Sequence, residues 1–291
     1  MKGSGRKKES GNMLEFFKMT GSGNDFICID NRDGKVEKHL KGMPVVDFVR
    51  AVCTPHLSLG ADGVILLEPS QKVDFSWRFF NADGSEAEMC GNGGRCAARF
   101  AFIRGIAGRE MSFETRAGII DARVDGTWVK IRLPEPTGLN LSLPIPVEER
   151  TMTGHFINTG VPHTVIFCEE LLSCDVLRLG RLIRFHELFA PTGTNVDFVR
   201  VEDKNRLKIR TYERGVEGET LACGTGSVAA ALLSAALGMT RPPVEVGVAS
   251  GEMLKVYFDC EGHKFKNVYL EGKAHVVCQG ELWEEAYRKG F

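Results

Sequence analysis

Cys90 and Cys223 are the residues best placed to do chemistry, because each opens the same short phrase. Gly84-Ser-Glu-Ala-Glu-Met-Cys-Gly-Asn-Gly-Gly94 and Glu217-Gly-Glu-Thr-Leu-Ala-Cys-Gly-Thr-Gly-Ser227 share a glutamate four residues before the cysteine and glycines just after it. The offset is 223 − 90 = 133, and Gly60/Gly193, Phe79/Tyr212, Glu86/Glu219, Gly105/Gly238 and Gly118/Gly251 keep it. A chain that repeats itself around a cysteine is expected to fold as two similar halves, each presenting one thiol. Two thiols on opposite sides of one carbon can take a proton from one face and return one to the other.

The elements around the thiols must make that chemistry feasible. An Ala-, Arg- and Phe-rich run, Gly93–Ile103, ends at Gly105, and an Ala- and Leu-rich run extends from Gly224 towards Gly238. Both read as helices with a glycine stop, and the second is apolar nearly all round, as buried helices are. Each begins just after a repeated cysteine. The first turn of a helix offers unpaired N–H groups and partial positive charge, and glycines there let a carboxylate approach the backbone. The same end is expected to lower a neighbouring thiol from about 8.5 into the range of roughly 3.5–7.5. Charge that develops on a held carboxylate as its α-proton leaves would be stabilised by those donors.

The rest of each half reads as strands. In the first half they fall on both sides of Thr20-Gly-Ser-Gly-Asn24, then at Gly63–Glu68, Phe75–Asn81, Met111–Thr115, Ile119–Val124 and Trp128–Leu133, with a helix at Val45–Cys53. In the second they fall within His155–Phe167, then at Val196–Val201, Leu207–Glu213, Val244–Val248, Glu252–Phe258, Lys266–Glu271 and Ala274–Gln279, with a helix near Asp175–Phe189. Four prolines within 134–146 mark a linker. The expected units are a disordered tail or expression remnant at 1–12, a half carrying Cys90 at 13–134, a linker at 135–146 and a half carrying Cys223 at 147–291.

Composition excludes several classes. The chain has 291 residues, 43% hydrophobic and 26% charged, with net charge −1, which gives no electrostatic footing for nucleic acid or an anionic membrane. No run of about 18 apolar residues exists. The Gly-, Ser- and Lys-rich start, before Met13, has no apolar core of a secretory signal. Nine cysteines, an odd number, without any Cys-x-x-Cys, suit reduced thiols in a cytoplasmic setting and no zinc knuckle. Cys28, Cys53, Cys96, Cys168, Cys174, Cys260 and Cys278 break the repeat and read as packing residues. Gly224-Thr-Gly-Ser-Val-Ala229 matches a dinucleotide fingerprint only weakly, since its twin at Cys90 lacks the pattern.

Gly21-Ser-Gly-Asn-Asp-Phe26, Asn81-Ala-Asp-Gly-Ser-Glu86, Cys90-Gly-Asn-Gly-Gly-Arg-Cys96, Gly160-Val-Pro-His163, Tyr212-Glu-Arg-Gly215 and Cys223-Gly-Thr-Gly226 occur in that order. Together they resemble the diaminopimelate epimerase family from about Met13 to Gly280. The resemblance implies an α/β (α+β) fold of two pseudo-symmetric domains, each a β-barrel-like sheet around a central helix, with the active site in the cleft. It implies an isomerase of lysine and peptidoglycan-precursor synthesis with no cofactor and no metal, acting on diaminopimelate, with a homodimer as candidate assembly. Cys90 and Cys223 would be the catalytic pair. Gly91, Asn92, Gly224 and Thr225 would hold the reacting carboxylate, and Asn24, Asn81, Asn195, Glu213 and Arg214 the rest of the substrate. His163 and Glu213 would support the reacting centre. Val161 and Gly63 stand where many members carry Asn and Gln, so those two polar contacts are not transferred. A proline racemase-like enzyme is the nearest rival, and the distal polar set argues against its small substrate. A switch disulfide between Cys90 and Cys223 is the rival from another class. No lysine lies in either motif for a Schiff base.

Overall fold

The computed structural model describes residues 13–288, so the expectation for residues 1–12 lies outside it. The chain opens with β1 (Leu14–Gly21) and β2 (Asn24–Asp30), joined by Ser22 and Gly23, both at positive φ. A two-residue loop of that kind matches the twist of a hairpin, and Gly23 supplies the freedom its second position needs. Then come α1 (Lys35–Leu40), α2 (Val45–Cys53), β3 (Gly63–Glu68), β4 (Phe75–Asn81) and β5 (Glu86–Ala87). The first central helix, α3 (Gly91–Ile103), precedes β6 (Glu110–Thr115), β7 (Gly118–Asp125) and β8 (Trp128–Arg132).

The second half runs through β9 (Thr137–Val147), β10 (Arg150–Asn158), β11 (Pro162–Phe167), α4 (Val176–Arg184), β12 (Asn195–Asp203), β13 (Arg206–Glu213) and β14 (Gly218–Thr220). The other central helix, α5 (Gly224–Ala236), leads to β15 (Val244–Gly247), β16 (Met253–Glu261), β17 (Lys264–Lys273) and β18 (His275–Leu282). Short 3-10 turns lie at Glu187–Phe189 and Glu284–Ala286.

Strand pairing repeats between halves. β1–β2 is antiparallel, β2–β3 parallel, β3–β4 antiparallel, β4–β6 parallel, and β6–β7–β8 antiparallel. The same senses recur along β10–β11–β12–β13–β15–β16–β17. β8 and β17 pair with each other, which joins the two curled sheets into one continuous ladder of hydrogen bonds. Each sheet wraps its own helix: α3 packs on β1, β2, β3, β7 and β8, and α5 on β10, β11, β12, β13, β15 and β16. This is the barrel-like, two-domain α/β architecture.

Two segments fall differently from the sequence reading. The proline-rich stretch read as a linker is largely strand β9, paired along β10. β9 is an edge strand with β10 as its partner, so Pro144 and Pro146 can sit where no ladder N–H is needed. β18 comes from the second half in sequence but pairs with β1, and its Leu282 joins Tyr287, Leu14, Phe16 and Phe48 in the first half's outer core. β9 pairs with its neighbour in sequence, whereas the place of β18 is one that sequence order does not give.

Both central helices end as their glycines suggested. Gly105 and Gly238 adopt left-handed φ of 65° and 72°, and each donates back to a carbonyl of its helix's last turn. The other ends matter more. Cys90 and Cys223 are the N-cap residues of α3 and α5, both with extended backbone.

Candidate active site

The two helix starts face one another. A methyl group added at Gly91 would lie 3.7 Å from Leu270 Cδ2, and one at Gly224 would lie 2.9 Å from that same atom. Gly224 is also near Asn92 Oδ1, so the first turns of α3 and α5 share one small space beside β17. Side chains there would crowd the gap, whereas glycines leave backbone N–H groups open to an anion.

The α3 side is held by a run of amides and a guanidinium. Asn92 Nδ2 donates to Asn24 Oδ1 at 2.7 Å, and Asn24 Nδ2 donates to Asp62 Oδ2 at 2.9 Å. Arg95 Nη2 donates to Asn92 Oδ1 at 2.8 Å and to Ser22 Oγ at 2.7 Å. The Cys90 sulfur accepts from Gly93 N at 3.4 Å, a cap bond made by a thiol.

The α5 side is built on a buried carboxylate. Asp197 Oδ2 lies 2.7 Å from His163 Nδ1, and Asp197 Oδ1 accepts from Thr211 Oγ1 at 2.7 Å. His163 Nε2 is 2.9 Å from Thr225 Oγ1, which is 3.5 Å from Cys223 Sγ. With Asp197 ionised, Nδ1 carries the proton and Nε2 accepts from the threonine hydroxyl. That hydroxyl can then accept from the thiol, so a proton on Cys223 has a continuous hydrogen-bonded path to the imidazole. Gly226 is required here, since a methyl group at that position would lie 2.4 Å from Asp197 Oδ1.

The remaining residues singled out from sequence sit at neighbouring strand ends. His163 pairs with Asn195 across β11 and β12. Asn195 Nδ2 donates to Pro162 O at 3.0 Å, and its Oδ1 accepts from Arg214 N at 2.8 Å. The Arg214 guanidinium donates to Thr192 O at 3.2 Å. In the first half Phe26 pairs with Gly63 and Gly63 with Asn81, which sets Asn81 on the strand next but one to Asn24. Asn81 is exposed and donates to Ser85 Oγ within its own turn. A side chain at Gly63 would begin 2.4 Å from Phe80 O, so no larger residue fits this backbone. Val161 is half-buried beside Pro162.

The expected lowering of the thiols by the helix ends is overturned. Burial pushes Cys90 up despite donation from Gly93 and Asn92 and the nearness of Arg95, and Glu213 adds to the rise. Burial pushes Cys223 up much further, helped by Glu213 and Asp197. Loss of hydration outweighs the helix end at both thiols, more so at the buried Cys223 than at the half-buried Cys90. Burial also raises the Glu213 carboxyl, which faces both thiols. A thiolate formed here is scarce but strongly basic, which suits a weakly acidic C–H.

Asp197, Asp62, Ser22 and Arg95 were missed. An aspartate inside the apolar run Val196-Asp-Phe-Val199 was the available signal for Asp197, and an arginine inside a buried glycine-alanine helix that for Arg95. Among the other cysteines, Cys260 and Cys278 are exposed rather than packed. Cys168 and Cys174 hydrogen-bond to each other, which lowers Cys168 to about 7. Among the described residues no three His, Cys, Asp or Glu side chains are grouped to hold a metal ion, and no helix is long and apolar enough to cross a membrane.

Comparison with known proteins agrees with this layout. The family model for diaminopimelate epimerase matches residues 16–133 and 155–277. The diaminopimelate epimerase of Aquifex aeolicus is 50% identical, with 94% of this chain and 99% of that protein covered. That of Archaeoglobus fulgidus is 43% identical, covering 92% and 96%. Among solved structures, a phenazine biosynthesis protein of the PhzF family from Bacillus anthracis superposes with TM-score 0.69 at 16% identity, covering 93% of this chain and 99% of that one. A hydroxyproline epimerase from Agrobacterium vitis gives 0.66 at 14%, covering 94% and 93%. At those identities the structures report the fold alone. The extent of the sequence match settles the family: this chain belongs to the diaminopimelate epimerases.

Proposed function

We propose that this chain interconverts LL- and meso-diaminopimelate by a cofactor-independent two-base reaction in which Cys90 and Cys223 are the acid–base pair. The observation that carries the reading is the pairing of two cysteine-capped helix starts around Leu270. With the LL isomer, the Cys90 thiolate takes the α-proton and the Cys223 thiol delivers its own proton to the opposite face. The cycle ends with a Cys90 thiol and a Cys223 thiolate, ready for the meso isomer, so protons balance. Backbone N–H groups of Gly91, Asn92, Gly224 and Thr225 hold the carboxylate on which charge develops. Asn24, Asn81, Asn195, Glu213 and Arg214 bind the remainder, with Arg214 a bidentate partner for the distal carboxylate. His163 supports Cys223 through Thr225.

The test is chiral analysis of product from LL-diaminopimelate in heavy water with no added cofactor. Early product carries one deuterium while unreacted substrate stays unlabelled, because the delivered proton comes from a thiol that exchanges with solvent. Cys90→Ala and Cys223→Ala each abolish turnover, since the pair acts as a unit. Substantial epimerisation by either variant, or unlabelled product in both directions, overturns the two-thiol reading.

A further inference from the structure

The structure assigns to Arg95 a role in choosing which thiol gives up its proton more readily: its buried guanidinium is the counter-charge that favours negative charge on Cys90 over Cys223. The assignment rests on the two-thiol reading above and adds a positioning residue to it.

Arg95 is fully buried. Its described partners are all neutral: Ser22 Oγ, Asn92 Oδ1 and, at 3.4 Å, Gly91 O. Nε is buried with no partner, and no carboxylate is hydrogen-bonded to the group. Gly272 on β17 makes the room for it, since a methyl group there would lie 3.0 Å from Nε. A buried guanidinium with no anion hydrogen-bonded to it is costly, so it favours negative charge on the groups near it. Three groups within electrostatic reach can carry one: Glu252, whose own Oε2 is buried and unpartnered, Cys96, and Cys90. Cys96 is pushed up to about 12, chiefly by burial, and stays a thiol at neutral pH. Cys90 is the one of the three that also receives donors from the α3 start.

Cys223 has the opposite surroundings. Glu213 on β13 and Asp197 on β12 both face it, Thr225 touches its sulfur, and His163 on β11 stands behind Thr225. Among the groups acting on Cys90, Arg95 and Cys96 lie on α3 and Glu213 on β13. Glu213 therefore acts on both thiols, as the smallest influence at Cys90 and the largest after burial at Cys223, which widens the difference. The contrast is a cation beside one thiol and a carboxylate beside the other. Through Asn92, the same guanidinium also fixes the amide that meets Asn24.

The test is the pH dependence of iodoacetamide alkylation in the substrate-free protein, followed for each cysteine by peptide mass spectrometry. Differences in access scale the plateau rate, whereas the pH midpoint reports thiolate formation. The Cys90 midpoint falls below that of Cys223 in the native chain. Arg95→Met moves the Cys90 midpoint up by at least one pH unit, about tenfold less thiolate at neutral pH, and leaves Cys223 in place. Arg95→Lys returns most of that shift, because the charge is restored without the fork. A Cys90 midpoint at or above that of Cys223, or one unmoved in folded Arg95→Met, overturns the assignment. If Arg95→Met does not fold, the native ordering and the Arg95→Lys midpoint decide. Failure of the two-thiol reading would appear separately, as activity in Cys90→Ala or Cys223→Ala, and would leave these midpoints unchanged.

Discussion

The starts of α3 and α5 share a backbone device and differ in everything charged around it. Both have a cysteine N-cap, both open with glycine, and both point at Leu270. Around Cys90 stand a guanidinium and two amides, and around Cys223 stand a carboxylate, an imidazole and a hydroxyl. The repeat has kept the frame that aims the thiols and let their surroundings diverge. On the proposed two-base reaction the pair would gain from this, because two thiols with identical surroundings would have no preference for which gives up its proton first.

The sharpest way to break the comparison is to remove the group that one side has and the other lacks. Asp197→Leu leaves His163 Nδ1 and Thr211 Oγ1 buried without their partner. Loss of one member of such a buried network costs about 3–5 kcal/mol, read from urea unfolding midpoints. Asp197→Asn keeps the shape, costs less stability and still lowers turnover, because a neutral amide no longer holds the imidazole as an ionised carboxylate does. An Asp197→Leu chain as stable as the native one would show that the α5 side does not depend on this carboxylate.

Two glycines in matched positions sharpen the contrast. A methyl group at Gly226 would lie 2.4 Å from Asp197 Oδ1, whereas at Gly93 it would meet Cys90 Cβ at 3.4 Å, an ordinary contact. Gly226→Ala is expected to cost about 1–3 kcal/mol through overpacking and to lower activity. Gly93→Ala is expected to be neutral or to gain up to about 1 kcal/mol of helix propensity. Thermal denaturation of the two variants side by side decides, and equal losses would refute the asymmetry.

Much of the frame was legible in the chain. The repeated cysteine phrase announced two halves, and α2, β3 and β4 begin and end where the apolar runs do. Local pattern suffices there because each element's own residues bury it. It fails where the deciding contact is distant. Nothing within His275–Leu282 says that this strand will pair with β1, and Pro144 and Pro146 look like a linker until β10 lies beside them. The site divides the same way. Glycines and cysteines declare a helix start locally, but Asp197 and Arg95 act through residues far along the chain. Whether a helix end or burial sets a thiol's acidity depends on water that the sequence does not place.

Alkali probes both thiols together. Their folded values are raised, so the native state holds these protons more tightly than the unfolded chain does. The stability this gives is fully present below about pH 9 and is lost as pH rises through the folded values, at up to about 1.4 kcal/mol per pH unit for each thiol. Cys223 is raised further, so its window reaches to higher pH. Cys223→Ala should therefore flatten the alkaline decline more than Cys90→Ala, in unfolding curves taken from pH 8 to 11. The other buried cysteines contribute equally to both variants. A greater flattening by Cys90→Ala would reverse the ordering of the two sites.

The smallest effect concerns the repeated glutamates. Glu219 receives a fork from Arg210, with Nε and Nη2 each at 2.7 Å, and the same guanidinium donates to the Leu171 and Cys174 carbonyls. Its counterpart Glu86 has only looser partners, Arg78 at 3.6 Å and Arg116 at 3.9 Å. A bidentate pair that also pins a loop can contribute about 1 kcal/mol, whereas a long, partly exposed pair contributes roughly 0–0.5. Glu219→Gln should therefore lower the unfolding midpoint measurably and Glu86→Gln hardly at all, and the Glu219 loss should shrink in high salt. Equal, salt-insensitive losses would mean that the matched position of the two glutamates matters more than their partners. A loss confined to Glu219 would instead place this pair with the helix starts: duplicated in sequence, unequal in charge environment.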